Sequence, residues 1–178
     1  MARAAHALNA DGKVWLIDPF DDGAALAAAE ELGQVAGVLQ LLDRHNRDGE
    51  VIARRFGVPL ARLPERLPDT PFEVVPVISS RRWREIALWW PQAGALIVAE
   101  AIGTAPVFAL GRTAGVHPLL RVTPPRGALG GYTPELLLVG HGNALETGGG
   151  QALADALARS RLDLPRLLTK APALLRAR

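Results

Sequence analysis

The chain has no cysteine, a single methionine, two lysines, four histidines and only 5% aromatic residues among its 178 residues. The missing thiols exclude cysteine nucleophiles, iron–sulfur clusters, disulfides and thiolate zinc sites, so any metal would sit on histidine nitrogen and carboxylate oxygen. No Gly-x-Ser-x-Gly element occurs, and Ser79, Ser80 and Ser160 have no base in view, which removes the common serine-hydrolase signature. Long uncharged apolar runs are absent as well. The most membrane-like stretch, 93–111, carries Glu100 within it, with Gly103 and Pro106 beyond, and a mid-membrane carboxylate costs roughly 2.5–3.5 kcal/mol on insertion scales. It reads as buried strands joined by turns, with no membrane partner. The first residues, Met1-Ala2-Arg3-Ala4-Ala5-His6-Ala7-Leu8, lack the apolar core of a signal peptide, and a cytoplasmic protein is expected.

What is present is 49% apolar residues in a length that suits one domain over 1–178. A chain of this size buries roughly 70% of its unfolded surface and needs no covalent staple. The basic residues, nearly all arginine, exceed the acidic ones by 20 to 18, a net charge of +2. Without basic and aromatic residues interleaved on one face, that excess predicts no nucleic-acid partner. The heavy use of Ala, Arg, Leu and Gly reads as a genome-wide compositional bias of bacterial type.

The apolar pattern alternates strands with helices. Ala4 to Leu8 and Lys13 to Asp18 flank an Asp-Gly pair, a strong hairpin signal. Asp21 or Asp22 can cap a helix over 24–32 that Gly33 closes. Val35 to Leu42 is then a strand parallel to the one before the helix. A polar loop, Asp43 to Gly49, leads to a short helix, Glu50 to Phe56, closed by Gly57, and Val58 to Leu60 begins a further short strand. Phe72 to Ile78, Glu85 to Trp90, Ala95 to Ala99 and Pro106 to Leu110 read as strands, with Ser79 to Arg84 as a polar corner. Leu136 to Val139 is a last strand, followed by helices over 151–162 and 164–175. The order implies an α/β or layered α+β fold whose function sits in loops beyond the strands.

Three such loops carry chemistry: Asp43 to Gly49, Glu100 after Ala99, and Gly140-His141-Gly142 after Val139. A carboxylate ending an apolar strand needs a cation or hydrogen bonds, so Glu100 requires a partner. His141 is presented by a backbone that can turn sharply. His117 reads as a structural residue at a strand edge, Pro124-Pro125-Arg126 as a surface turn, and Gly148-Gly149-Gly150 as a flexible helix entry. Trp83, Trp89 and Trp90 read as core or lid residues.

In this order, the Leu16-Ile17-Asp18-Pro19 strand end, the Asp43 to Gly49 loop, Glu100 and Gly140-His141-Gly142 resemble the metallo-β-lactamase fold of metal-dependent hydrolases. The resemblance covers most of the chain and implies an αββα sandwich with a shortened N-terminal sheet. In that family a His-x-His-x-Asp-His loop, a Pro-Gly-His corner, a bridging Asp and a Gly-His-Gly loop hold two metals. Placing Asp48 on the motif's Asp puts Arg44, Asn46 and Gly49 at its three histidines and His45 at a non-ligand position. Arg81, give or take a residue, falls on the corner histidine, Glu100 on the bridging Asp and His141 on the last histidine. The resemblance therefore implies a degenerate member with most metal ligands replaced.

Two arginines in place of the first metal would supply fixed positive charge to the remaining carboxylates through bidentate pairs. The expectation is a non-hydrolytic protein without cofactor that binds a polar or anionic small molecule through Arg44, Arg81, His45 and Asn46. A mononuclear hydrolase is the alternative, with Asp48, Glu100 and His141 on one divalent ion (Mn, Fe(II), Mg or Zn), and Asp48 and His141 catalytic on an ester, thioester or phosphoester only if metal is bound. A structural or interaction protein with a vestigial pocket is a third reading. The small first sheet leaves an open edge, and a homo-oligomer is expected from it.

Overall fold

The structure, a computed structural model, describes residues 3–45 and 47–167. Asn46 and most of the helix expected over 164–175 lie outside the described residues.

The chain opens with the antiparallel hairpin of β1 (His6–Ala10) and β2 (Lys13–Ile17), turning at Asp11 and Gly12, both in left-handed conformation as the Asp-Gly pair requires. Helix α1 (Gly23–Leu32) is capped by Asp22, whose carboxylate accepts the Ala25 N–H. It crosses to β3 (Gln34–Gln40), parallel to β2. A second crossover, α2 (Gly49–Phe56), ends at left-handed Gly57 and delivers the short parallel strand β4 (Leu60–Arg62). The first sheet thus runs β1-β2-β3-β4.

The second sheet, in the order β10-β7-β6-β5, is built from β5 (Glu73–Ser80), β6 (Trp83–Trp90), β7 (Ala95–Val98) and β10 (Leu136–Val139). The expected polar corner at 79–84 is narrower than read: both strands continue to a turn at Arg81 and Arg82, because Ser80 and Trp83 still pair. A small ribbon of β8 (Ile102–Gly103) and β9 (Gly115–Val116) lies beside it. The strand expected over 106–110 is instead a single helical turn, α3 (Pro106–Ala109). Proline at its first position is preset for a helix and has no N–H to give a sheet. Arg126 likewise opens a short helix, α4 (Arg126–Leu129), and α5 spans Gly149–Arg159.

Alternation along the strands sorts their side chains into three layers. Val14 and Leu16 face α1 and α2, joining Leu26, Val38 and Ile52. Ile17, Leu39, Ile97 and Leu88 fill the space between the sheets. Leu96, Val98 and Val139 face α5, where Leu153 and Leu157 cover them. This is a helix, sheet, sheet, helix sandwich. No helix among the described residues is long and apolar enough to cross a membrane.

One buried ion pair ties the outer layer together. Arg121, fully buried, donates to the Phe108 carbonyl and lies 3.9 Å from Asp163, which Arg112 also reaches at 3.3 Å. Ser160 donates to the Arg121 carbonyl at 2.9 Å. Removing one member of such a buried pair typically costs about 3–5 kcal/mol.

Candidate functional site

The loops that follow β2, β3, β7, β9 and β10 meet at one end of the sandwich. They bring together Asp18, the 43–45 segment, Glu100, His117 and His141. Parallel strands place their carboxyl ends side by side, so chemistry carried just beyond those ends converges.

Asp18 ends β2 in a left-handed conformation, φ 44°. That turn directs its buried carboxylate inward, where one oxygen accepts the Leu41 N–H at 3.1 Å and the other receives His45 Nδ1 at 3.0 Å. The Asp18 carbonyl accepts from Arg47, which also donates to the Ala4 carbonyl and lies 4.2 Å over the Phe20 ring. His6 donates from Nε2 to the Val139 carbonyl at 3.1 Å, and burial pulls its pKa down. The first strand is thereby held against the loop that carries His141.

That loop depends on its two glycines. A Cβ on Gly140 would strike the Ala99 carbonyl, and one on Gly142, at φ 102°, would strike Thr104 and the Ala105 nitrogen. The His141 carbonyl accepts from Thr104 and Ala105 N–H at 3.0 and 3.1 Å. His141 Nε2 then stands 3.7 Å from Glu100 Oε1, with the Phe108 ring stacked at 5.5 Å and the His45 ring 5.9 Å away.

The β8–β9 pairing brings His117 to the same carboxylate. Its Nε2 lies 3.9 Å from Glu100 Oε1, and its ring packs edge-on against Trp83 at 4.8 Å. His117 Nδ1 accepts the Leu119 N–H at 3.2 Å, so in the neutral ring the proton resides on Nε2, facing Glu100. Burial, with Arg44 nearby, pushes this histidine down to about 4 and keeps it neutral.

Arg44 supplies the positive charge. Its Nε is 3.6 Å from Asp43 and 3.8 Å from Glu100, its guanidinium lies 4.3 Å over Trp83, and its side chain is 44% exposed. Glu85, buried in β6, sets the backbone of this corner. One of its oxygens accepts the N–H groups of Glu100 and Ala101, both at 2.8 Å, and the other accepts from Trp83 Nε1 at 3.1 Å. Burial outweighs these bonds and raises its pKa to about 7.

The structure therefore gathers Arg44, His45, Glu100 and His141 of the residues selected from sequence. Asp48 stands at the start of α2, where its carboxylate accepts the Asp21 N–H at 2.9 Å. Arg81 is exposed in the β5–β6 turn. His117, Glu85 and Asp18 join the cluster without having been selected as site residues. For Glu85 the sequence held a signal, a carboxylate between Trp83 and Ile86 in an apolar strand; for His117 it held none, because the pairing of Ile102 with Val116 is not local.

The donor set does not fit the metal that the fold resemblance implies. Among the described residues no three His, Asp or Glu side chains are placed to hold an ion. His117 presents a proton rather than a lone pair to Glu100, and a guanidinium lies beside the central carboxylate.

No family model and no curated protein sequence matches the chain. Among solved structures it is similar to DIM-1 metallo-β-lactamase, at 13% identity over 89% of this chain and 86% of that one, with a TM-score of 0.58. It is similar to the metallo-β-lactamase from Erythrobacter litoralis, at 12% identity over 91% and 80%, TM-score 0.58. A third is the metallo-β-lactamase FIM-1 from Pseudomonas aeruginosa in its mono-zinc form, at 11% identity over 90% and 85%, TM-score 0.54. At this identity the likeness speaks for architecture, and the chain has the metallo-β-lactamase fold, an α/β sandwich of two mixed sheets between helices.

Proposed function

We propose that this protein is a degenerate form of the metallo-β-lactamase fold that does not hydrolyse, and that it binds a polar or anionic small molecule at Arg44. The observation that supports this most is the Arg44 guanidinium itself, placed between Asp43 and Glu100 and stacked on Trp83. A permanent cation there answers the carboxylates that a metal would otherwise balance, and its exposed edge keeps N–H donors for a ligand. The flanking imidazoles add donors and acceptors without strong charge, since His117 is held neutral. Arg81, exposed in its turn, is not needed for this reading.

The test combines metal analysis with ligand-dependent thermal shifts. Protein purified without chelator and then incubated with Mn, Fe(II) or Zn is expected to hold no stoichiometric ion. Small carboxylates or phosphates are expected to raise the unfolding midpoint of the parent chain but not of Arg44→Ala. Stoichiometric metal that is lost on replacing both Glu100 and His141 by alanine would overturn the proposal in favour of the mononuclear hydrolase. Absence of any anion-dependent shift would favour a vestigial pocket in an interaction protein.

A further inference from the structure

At the end of the sandwich opposite Glu100, where β2 and β7 begin rather than finish, lies a cavity of about 630 Å³. Its apolar wall is formed by Trp15 and Trp90, and its rim carries Asp11, Lys13, Asp69 and Gln92. The volume falls within the roughly 300–1,000 Å³ common for small-molecule sites.

The two indoles are held in place by packing. Trp15 sits opposite Gly37 in the β2–β3 register, and a Cβ on Gly37 would lie 2.6 Å from the Trp15 ring, so the glycine makes room for an indole lying across β3. Phe72, buried, packs edge-on against both, with ring centroids 6.2 Å from Trp15 and 5.5 Å from Trp90. Both indoles remain half-buried and form a wall of the cavity.

The rim carries two carboxylates and one ammonium, a net charge of −1. No hydrogen bond or ion pair to another described residue engages the side chains of Asp11, Lys13, Asp69 and Gln92. Together they offer acceptors, donors and an amide that is both. Asp11 and Asp69 are also two of the few non-glycine residues with left-handed backbone, φ 53° and 61°, which places them at the tips of tight turns. An anion would meet two carboxylates there, whereas a cation could pair with them only beside the Lys13 ammonium. A neutral ligand with many hydroxyls and one apolar face satisfies both the mixed rim and the aromatic wall.

We infer that this cavity is a carbohydrate site, taking a neutral mono- or disaccharide whose C–H face lies on Trp15 or Trp90 and whose hydroxyls bond Asp11, Asp69, Lys13 and Gln92. The inference is independent of Arg44 and of any reading of the other end of the sandwich.

Isothermal titration of the full chain with glucose, galactose, maltose and cellobiose tests it, with choline chloride and sodium acetate as charged comparators. At least one neutral sugar is expected to bind in the millimolar range. Trp90→Ala is expected to weaken that binding tenfold or more, and Asp69→Asn and Gln92→Ala severalfold. The two rim residues are exposed, so both variants are expected to keep the fold, which urea unfolding checks. Binding of choline or acetate with no sugar bound, no binding of any probe, or sugar binding unchanged in all three variants would overturn the assignment.

Discussion

Glu85 makes the stability of this protein depend on pH in a direction opposite to that of an ordinary paired carboxylate. The residue is 1% exposed, and burial lifts its pKa from 4.5 to about 7 in spite of three N–H donors. The folded state therefore holds a proton that the unfolded chain releases between those two values. Stability from this group is complete below pH 4.5 and is lost as pH rises through 7. At about 1.4 kcal/mol per pH unit, the full loss is about 3 kcal/mol.

Glu85→Gln removes the titration while keeping the shape. Its single side-chain oxygen can still accept from Glu100 and Ala101, whereas the bond from Trp83 is given up, at about 1 kcal/mol. Urea unfolding followed by tryptophan fluorescence, from pH 4.5 to 8.5, would give the difference between variant and parent at each pH. That difference isolates Glu85, because His6 and His117 titrate equally in both proteins. The variant is expected to be less stable by about 1 kcal/mol at pH 4.5 and more stable by about 2 kcal/mol at pH 8.5. A difference curve that stays flat across this range would refute the reasoning.

His117 is expected to titrate near 4 in an NMR pH series of its ring signals; its stabilising share, present above 6.5, is lost as pH falls to about 4, so His117→Gln should flatten the acid limb of the stability curve, and a midpoint near 6.5 would contradict the burial argument. Gly142→Ala combines a left-handed backbone with a collision against Thr104 and Ala105, and a loss of about 2–4 kcal/mol is expected by denaturant unfolding. Gly127→Ala, inside α4 with nothing within 4 Å and no positive φ, should raise stability by about 0.4–1 kcal/mol in the same measurement.

The local parts of this fold are legible in the sequence because each carries its own punctuation. Asp11-Gly12 marks a turn, Asp22 and Gly33 bracket α1, and Gly57 stops α2. The site is legible where a polar residue interrupts an apolar strand end, as at Glu100 and His141. What is hidden depends on pairing between distant segments. His117 reaches Glu100 only because β9 pairs with β8, and Asp18 engages His45 only because a left-handed residue turns the chain after β2. Pro106 to Leu110 misleads because five apolar residues satisfy strand and helix patterns alike, and the proline decides between them.

The Arg121–Asp163 pair has a consequence for how the chain matures on the ribosome. Residues emerge from the N-terminus during synthesis, and the four strands of the β1-β2-β3-β4 sheet are all present by residue 62. The segment from α3 to Arg121 is different: its guanidinium has no carboxylate to meet until Asp163 has been translated. Burying that arginine early would cost several kcal/mol. The outer layer over the second sheet can therefore close around Arg121 only after Asp163 has been made, which ties its packing to a residue well downstream.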